Sequence, residues 1–307
     1  MPTLASVATL SIEAASRDVG LRISQVLLCV VEARPVVLLI YVMRFAVAFA
    51  LAYPDAQASW RLPVALFTWL AVAGSVYLFD GVMDVVEDRA NGSTRPIARG
   101  ALPVRVAATV SAVWAAMSTV GAILLGAPYV FLVPFGLVLG YAYSGALLRL
   151  KRWSLGAGAT VLIAGVLTFL AGGAVHGALP TSARLFVFAI AMSAWMGLVG
   201  AVAKDFADVP GDLHTGRRTC AVVKGVQFAA RRLSVNALLV AAGFVVAAAL
   251  VDHVLLWPAT AVLFGAGAIA LACRPGSAEA RPRRPYRTFM VTQYAAHAGT
   301  LLAVVVL

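Results

Sequence analysis

Charge is what this chain lacks. Only 12% of its 307 residues are charged, 24 basic and 13 acidic, against roughly 25% in ordinary soluble domains. A soluble chain of this length needs far more polar side chains to cover its surface, which excludes soluble enzymes and solvated tails. Cysteine is scarce too: Cys29, Cys220 and Cys273 form an odd set without paired metal-type spacing. That excludes a disulfide framework and a zinc site and leaves them as small packing residues. Of the four histidines only His214 falls near other chemistry-bearing groups, in what reads as a solvated loop. Glycine pairs such as Gly172-Gly173 have no strand before them, so they read as close helix packing and not as phosphate loops. The formal net charge is +11, yet no soluble basic domain is present to read a groove, and nucleic acid is not an expected partner.

Hydrophobicity is what the chain has, at 62% of residues. Apolar stretches of about 20 residues, the length that crosses a bilayer, fall at 36–54, 62–80, 104–125, 128–148, 155–175, 184–203, 232–251, 254–273 and 287–307. The expectation is an all-α membrane protein of nine transmembrane helices: residues 36–307 form a single domain and residues 1–35 an amphipathic lead-in at the membrane surface. Placing loops on alternate sides gathers 21 of the 24 basic residues on one side. Arg61 and Arg184 border the other face, and Arg44 lies inside the first helix. The positive-inside rule assigns the basic side, and the N-terminus, to the cytoplasm. Glu13, Arg17, Asp18, Arg22, Glu32 and Arg34 precede the first long apolar run, an arrangement unlike a cleaved signal peptide. The richness in Ala, Val and Arg points to a high-GC bacterial source and thus an inner-membrane location. The Arg281-Pro282-Arg283-Arg284-Pro285 run reads as a cytoplasmic loop touching anionic membrane lipid.

Seven of the 13 acids fall in two short clusters. In the first, Asp80, Asp84 and Asp88 are spaced four apart with Glu87 among them, which stacks three like charges on one helical face. That costs stability unless cations neutralise it, and an all-oxygen site of this kind suits Mg2+, which shares substrate phosphates. Carboxylates at a membrane edge are expensive and usually functional. The second cluster, Asp205, Asp208 and Asp212, closes the sixth apolar stretch on the same expected side, with Pro210 and Gly211 ending the helix. Two acid-rich helix ends facing each other would form a two-centre cation site. Arg95, Arg99, Lys151, Arg152, Lys204, Arg217 and Arg218 belong to that side as well. Carboxylates for a divalent metal together with Arg and Lys for phosphate oxygens make a set suited to ionising a diphosphate ester.

These residues carry a resemblance. Asp80-xxx-Asp84-xxx-Asp88-Arg89, followed by Asn91, Arg95-Pro96-Ile97 and Gly100, resembles the first aspartate-rich motif of the UbiA family of intramembrane prenyltransferases. Lys204-Asp205-xx-Asp208-xxx-Asp212-xxx-Gly216-xx-Thr219 resembles the second, and Arg34-Pro35 and the Tyr143-Ser144 to Lys151-Arg152 segment also fit. The resemblance implies helices ringed about a central cavity that opens sideways to lipid. It implies two Mg2+ ions held by Asp80, Asp84, Asp208 and Asp212, with Asp88 and Asp205 in support. Arg95, Arg99, Lys151 and Lys204 would meet the diphosphate oxygens, and Tyr143 and Ser144 would lie near the reacting carbon, where the tyrosine ring steadies an allylic cation. The family's first motif usually opens with Asn followed by Asp; here the positions are Asp80 and Gly81, so the subfamily and the acceptor stay open.

The implied reaction is transfer of a prenyl group from a prenyl diphosphate to a small aromatic or quinone-precursor acceptor. Two rivals stay open: a terpene cyclase of the same fold, needing no acceptor, and a cation or lipid transporter, against which the acids cluster at one face and not at the midplane. Arg44, nine residues into the first helix and about 13 Å deep at 1.5 Å per residue, is expected to face the cavity. There it would hold an anionic group of the acceptor or support the diphosphate.

Overall fold

The structure, a computed structural model, describes residues 23–54 and 59–306. It is all-helical, with no strand among the described residues. The chain runs α1 (Ile23–Glu32), α2 (Pro35–Ala52), α3 (Arg61–Met83), α4 (Val85–Ala90), α5 (Val104–Leu125), α6 (Tyr129–Ser144), α7 (Ser154–Gly173) and α8 (Ala183–Ala194). It continues through a π-helical turn (Trp195–Gly200), α9 (Ala201–His214), α10 (Cys220–Lys224), α11 (Val226–Val251), α12 (Leu256–Ala272), α13 (Ser277–Ala280) and α14 (Arg284–Val306).

All nine expected apolar stretches are helical, but seven helical units among the described residues are long and apolar enough to cross a membrane. The two that fall short are α6, at 16 residues, and α14, which polar residues from Arg287 to Thr300 interrupt along its length. The protein is therefore an integral, multi-pass membrane protein whose number of spans is at least seven by length and composition.

Three apolar cores hold the bundle. Trp195, Phe188 and Phe244 centre the one shared by α8, α9, α11, α12 and α14. Phe45, Trp69 and Tyr129 centre a second between α2, α3, α6 and α7. Cys29 and Ala33 bring α1 against Leu78, Ile97 and Leu102 in a third. Of the expected lead-in, residues 1–22 lie outside the described residues; the part that is described packs Cys29, Glu32 and Ala33 into the bundle. Where α7 crosses the π-turn the backbones touch: a Cβ on Gly197 would stand 2.5 Å from the carbonyl oxygen of Gly158. The π-turn inserts a residue into the helical ladder shortly before Lys204 and Asp205, and so changes the direction in which α9 presents them.

Two local expectations are corrected. The sixth stretch does not end at Pro210-Gly211; the helix runs on to His214. Proline usually breaks a helix by removing a donor and crowding the preceding turn; here the helix continues past it, and the next amide, Gly211, donates outside the helix to Asn91 Oδ1 at 2.8 Å. Asp80, Asp84 and Asp88 do not lie on one continuous helix either, since α3 stops at Met83 and α4 starts at Val85. Asp84 is the joint, and main-chain bonds from its amide to Asp80 and from Asp88 to its own carbonyl, at 3.0 and 2.7 Å, keep the spacing of one turn.

Candidate active site

The two acid clusters come together through cations. The end of α3 delivers Asp80, the joint delivers Asp84, and the short loop after α6 delivers Lys151 between them. Lys151 Nζ lies 2.8 Å from Asp80 Oδ1 and also pairs with Asp84 Oδ1. Ser144, the last residue of α6, donates to Asp80 Oδ1 at 2.5 Å and accepts from Lys151 Nζ at 3.1 Å. Burial opposes the charge on Lys151, and Asp80 and Asp84 outweigh it, holding the ammonium above its ordinary pKa. Burial and then the Asp80 charge push the Asp84 carboxyl up, while Lys151 pulls it back.

A second cation, Arg217, ties the motifs to each other. Its Nη1 pairs with Glu87 of α4 and lies 3.1 Å from Asp212 Oδ1 of α9. Its Nε and Nη2 donate to the Lys151 carbonyl at 3.3 and 3.1 Å. Burial opposes the guanidinium charge, and Glu87 and Asp212 raise its pKa regardless. The neighbouring chain is pinned as well, with the Arg218 amide donating to the Arg152 carbonyl at 2.7 Å. A third cation, Arg95, bridges Asp88 and Glu32, both at 2.7 Å.

Beside this network lies a cavity of about 180 Å³. Asp80, Tyr143, Lys204 and Arg34 line it at the acid-rich end, Arg34 from a left-handed backbone conformation (φ 59°). Farther along the helices its walls are apolar and aromatic, including Trp69, Leu167 and Met290. The ring of Tyr143 already faces a cation, with Lys151 Nζ 5.9 Å from its centroid. Arg44 lines the cavity as the sequence suggests, 2% exposed, donating to Gln293 Oε1 at 2.9 Å and lying over the Tyr41 ring. Its Nε has no hydrogen-bond partner, and among the described residues no carboxylate pairs with it.

The remaining expected site residues divide. Asp205 is buried and Asp208 half-buried on α9. Arg99 is exposed and makes no ion pair among the described residues. Glu32, which the spacing of the acids does not mark, also takes part, and Glu87 and Arg217 supply the pair that joins the two motifs. An acid at the end of the apolar run Val26–Val31 is the signal that could have marked Glu32, because such a charge is costly unless paired.

The donor set suits a hard divalent cation. As they stand, no three carboxylate, imidazole or thiolate groups among the described residues converge to hold a metal ion, because Lys151, Arg95 and Arg217 each occupy the carboxylates. Even so, both oxygens of the fully buried Asp212 accept no hydrogen bond, Arg217 lying near Oδ1 without bonding geometry. Buried acceptors are normally satisfied. Six aspartates and an unfilled buried pair of oxygens fit Mg2+; there is no soft ligand here for zinc or copper.

The family model of the UbiA prenyltransferase family matches residues 41–292. The chain belongs to the UbiA prenyltransferase family. None of the curated proteins matches it, but solved structures of UbiA proteins share the fold. A UbiA homolog from Archaeoglobus fulgidus bound to GPP and Mg2+ superposes with a TM-score of 0.70 at 19% identity, over 91% of this chain and 100% of that one. An apo UbiA homolog from Aeropyrum pernix K1 gives 0.68 at 17% identity, over 86% and 96%. A digeranylgeranylglyceryl phosphate synthase gives 0.68 at 13%, over 92% and 100%. The UbiA assignment agrees with an all-helical membrane fold that encloses a cavity with acids gathered at one end.

The contact between the motifs is testable directly. A Cβ at Gly211 would stand 2.2 Å from Asn91 Oδ1, so Gly211→Ala must push Asn91 away and is expected to cost about 1–3 kcal/mol. In thermal unfolding of the detergent-purified protein, the double variant with Asn91→Ala should lose less than the sum of the two singles. Additive losses would mean that the contact does not couple α4 to α9.

Proposed function

We propose that this protein is a Mg2+-dependent intramembrane prenyltransferase that moves a prenyl group from its diphosphate to a small aromatic or quinone-precursor acceptor, releasing diphosphate. The observation that carries this reading is the cavity itself: at one end an aspartate-rich, cation-neutralised network, along its walls apolar and aromatic side chains, and deep within it an arginine without a carboxylate partner. The Archaeoglobus homolog bound to GPP and Mg2+ supports the donor and the metal.

In this reading Asp80, Asp84, Asp208 and Asp212 would hold two Mg2+ ions, with Asp88 and Asp205 in support; when bound, the ions neutralise diphosphate charge and improve it as a leaving group. Lys151 leaves Asp80 and Asp84 for the diphosphate oxygens, joined by Arg95 and Lys204, so that charge developing on the leaving group meets preset donors. The Tyr143 ring faces the carbon from which the C–O bond breaks and steadies its positive charge. The apolar walls keep water from that carbon, a sideways opening between helices would leave the prenyl tail in lipid, and an electron-rich acceptor carbon forms the new bond as the C–O bond to diphosphate breaks, then loses its proton to solvent or the released diphosphate. The acid-rich end, carrying most of the basic residues, faces the cytoplasm.

Arg44 favours transfer over cyclisation, because a cyclase needs no buried cation beyond the leaving-group site, whereas an acceptor with an anionic group does. Arg44→Met is expected to raise the acceptor KM about tenfold or more, the usual worth of a hydrogen bond to a charged group, and to leave the donor KM unchanged. Equal Michaelis constants in both proteins would remove Arg44 from acceptor binding. The deciding experiment is product analysis in nanodiscs with Mg2+ and labelled C10, C15 and C20 prenyl diphosphates, with and without phenolic acceptors. Acceptor-dependent product supports transfer; hydrocarbon formed without acceptor would make the enzyme a cyclase, and no turnover of any donor would favour transport.

A further inference from the structure

Glu32 is the one acid of α1 and is fully buried. Its Oε2 accepts the Ile97 amide at 2.9 Å, its Oε1 lies 2.7 Å from Arg95 Nη2, and its main-chain carbonyl accepts from that same Nη2 at 3.1 Å. Glu32 therefore grips both ends of the Arg95-Pro96-Ile97 segment. The other arm of Arg95, Nη1, reaches Asp88 Oδ2 at 2.7 Å. With two carboxylates on its two terminal nitrogens, the guanidinium is held in one orientation, and its Nε is buried without a hydrogen-bond partner.

The place that Glu32 fills exists because residue 81 has no side chain. A Cβ at Gly81 would stand 2.4 Å from Glu32 Oε1, 3.2 Å from its Cδ and 2.8 Å from Arg95 Nη2. A carboxylate carried by α1 thus occupies the space of a side chain on α3, next to Asp80. Taking a carboxylate fully out of water is expensive and is stable only where it is paired; here Oε2 holds the Ile97 amide while Oε1 faces the Arg95 charge without hydrogen-bond geometry, so the chain commits a buried charge to this arginine.

We propose that Glu32 is a positioning residue of the donor site: it sets Arg95 to meet the diphosphate beside Asp88, and Gly81 is the position that admits it. The inference rests on the reading of Arg95 as a diphosphate-binding residue. It makes α1 part of the donor site, and it predicts that the carboxylate can be supplied from either position, 32 or 81.

The test is calorimetric titration of the purified full chain in nanodiscs with inorganic diphosphate in the presence of Mg2+, alongside thermal unfolding without ligand. Glu32→Gln and Gly81→Ala are each expected to weaken diphosphate binding about tenfold, the order of a lost or displaced buried ion pair at the low end of its range. Gly81→Ala should cost less in a Glu32→Ala background, where the contact with the carboxylate is gone and only Arg95 Nη2, 2.8 Å from the added Cβ, still has to give. Gly81→Asp placed in that background should restore most of the affinity, whereas in the wild-type background it should weaken binding at least as much as Gly81→Ala. Unchanged diphosphate affinity in Glu32→Gln and Gly81→Ala, with lowered thermal midpoints, would reduce Glu32 to an anchor for α1 and overturn the proposal. Wild-type affinity in Glu32→Gln together with a tenfold loss in Arg95→Met would keep the functional reading and reject this inference. Failure of the wild type to bind diphosphate would overturn both. If Glu32→Ala does not fold, the isosteric Glu32→Gln and the single Gly81→Ala carry the same decision.

Discussion

Asp84→Ala and Asp208→Ala are each expected to lower prenyl transfer by about 10²–10³-fold, the scale on which one preset charge-stabilising group acts at a reacting centre. Neither change should unfold the protein. When Asp84 is removed, Lys151 keeps its pairing with Asp80 and its bond to Ser144, and Asp208 makes no ion pair among the described residues that the fold would miss. The reason for the loss lies in charge. With Asp84 gone, the site has one carboxylate fewer with which to hold a divalent cation, and Lys151 stays bound to Asp80 instead of turning to the diphosphate. Chelating Mg2+ from the wild type should reproduce the loss, and adding it back should reverse it. The check is initial-rate measurement with a labelled donor and a productive acceptor, with thermal unfolding of each variant as the folding control. Turnover within tenfold of the wild type in either variant would remove that residue from the metal-binding set.

Arg217→Met is expected to have the largest effect on stability. Arg217 is 5% exposed and Asp212 fully buried, and removing one partner of a buried ion pair leaves an uncompensated charge, typically at about 3–5 kcal/mol. Glu87 is somewhat more exposed, at 13%, so its share is reduced by solvent and the lower end of that range is expected. Three segments come apart together: α4 through Glu87, α9 through Asp212, and the loop that carries Lys151 through its carbonyl. Activity should therefore fall with stability. A second substitution, Asp212→Asn, should recover part of the stability by removing the stranded charge, while activity stays low because a proposed metal ligand is gone. Thermal unfolding in detergent across the four proteins of this cycle measures the coupling. A single Arg217→Met variant that unfolds like the wild type would show that Arg217 is not the tie between the motifs.

Much of this was legible in the sequence because the signals are local. A membrane span needs only length and apolarity, and seven helical units among the described residues meet both. Asp80, Asp84 and Asp88 advertise themselves by spacing, and main-chain bonds preserve that spacing even across the break at Asp84. Arg44 was legible because a lone charge nine residues into an apolar helix has to face something polar or hollow. Pro210 shows the limit of local signals: its preference to end a helix is not realised, and the amide after it bonds to Asn91, 120 residues away.

By itself, then, the sequence determined the class of protein, its family, and the shared end of the helices at which its acids gather. Composition and short-range periodicity carry that information. Only the tertiary structure decided which cation meets which carboxylate. Glu32 meets the Ile97 amide across 65 residues and Arg217 meets Glu87 across 130, and nothing in local spacing encodes such meetings. They arise because burying charge is tolerable only in pairs. The packing of α1 against α3, and of α9 against α4, sets which pairs can form.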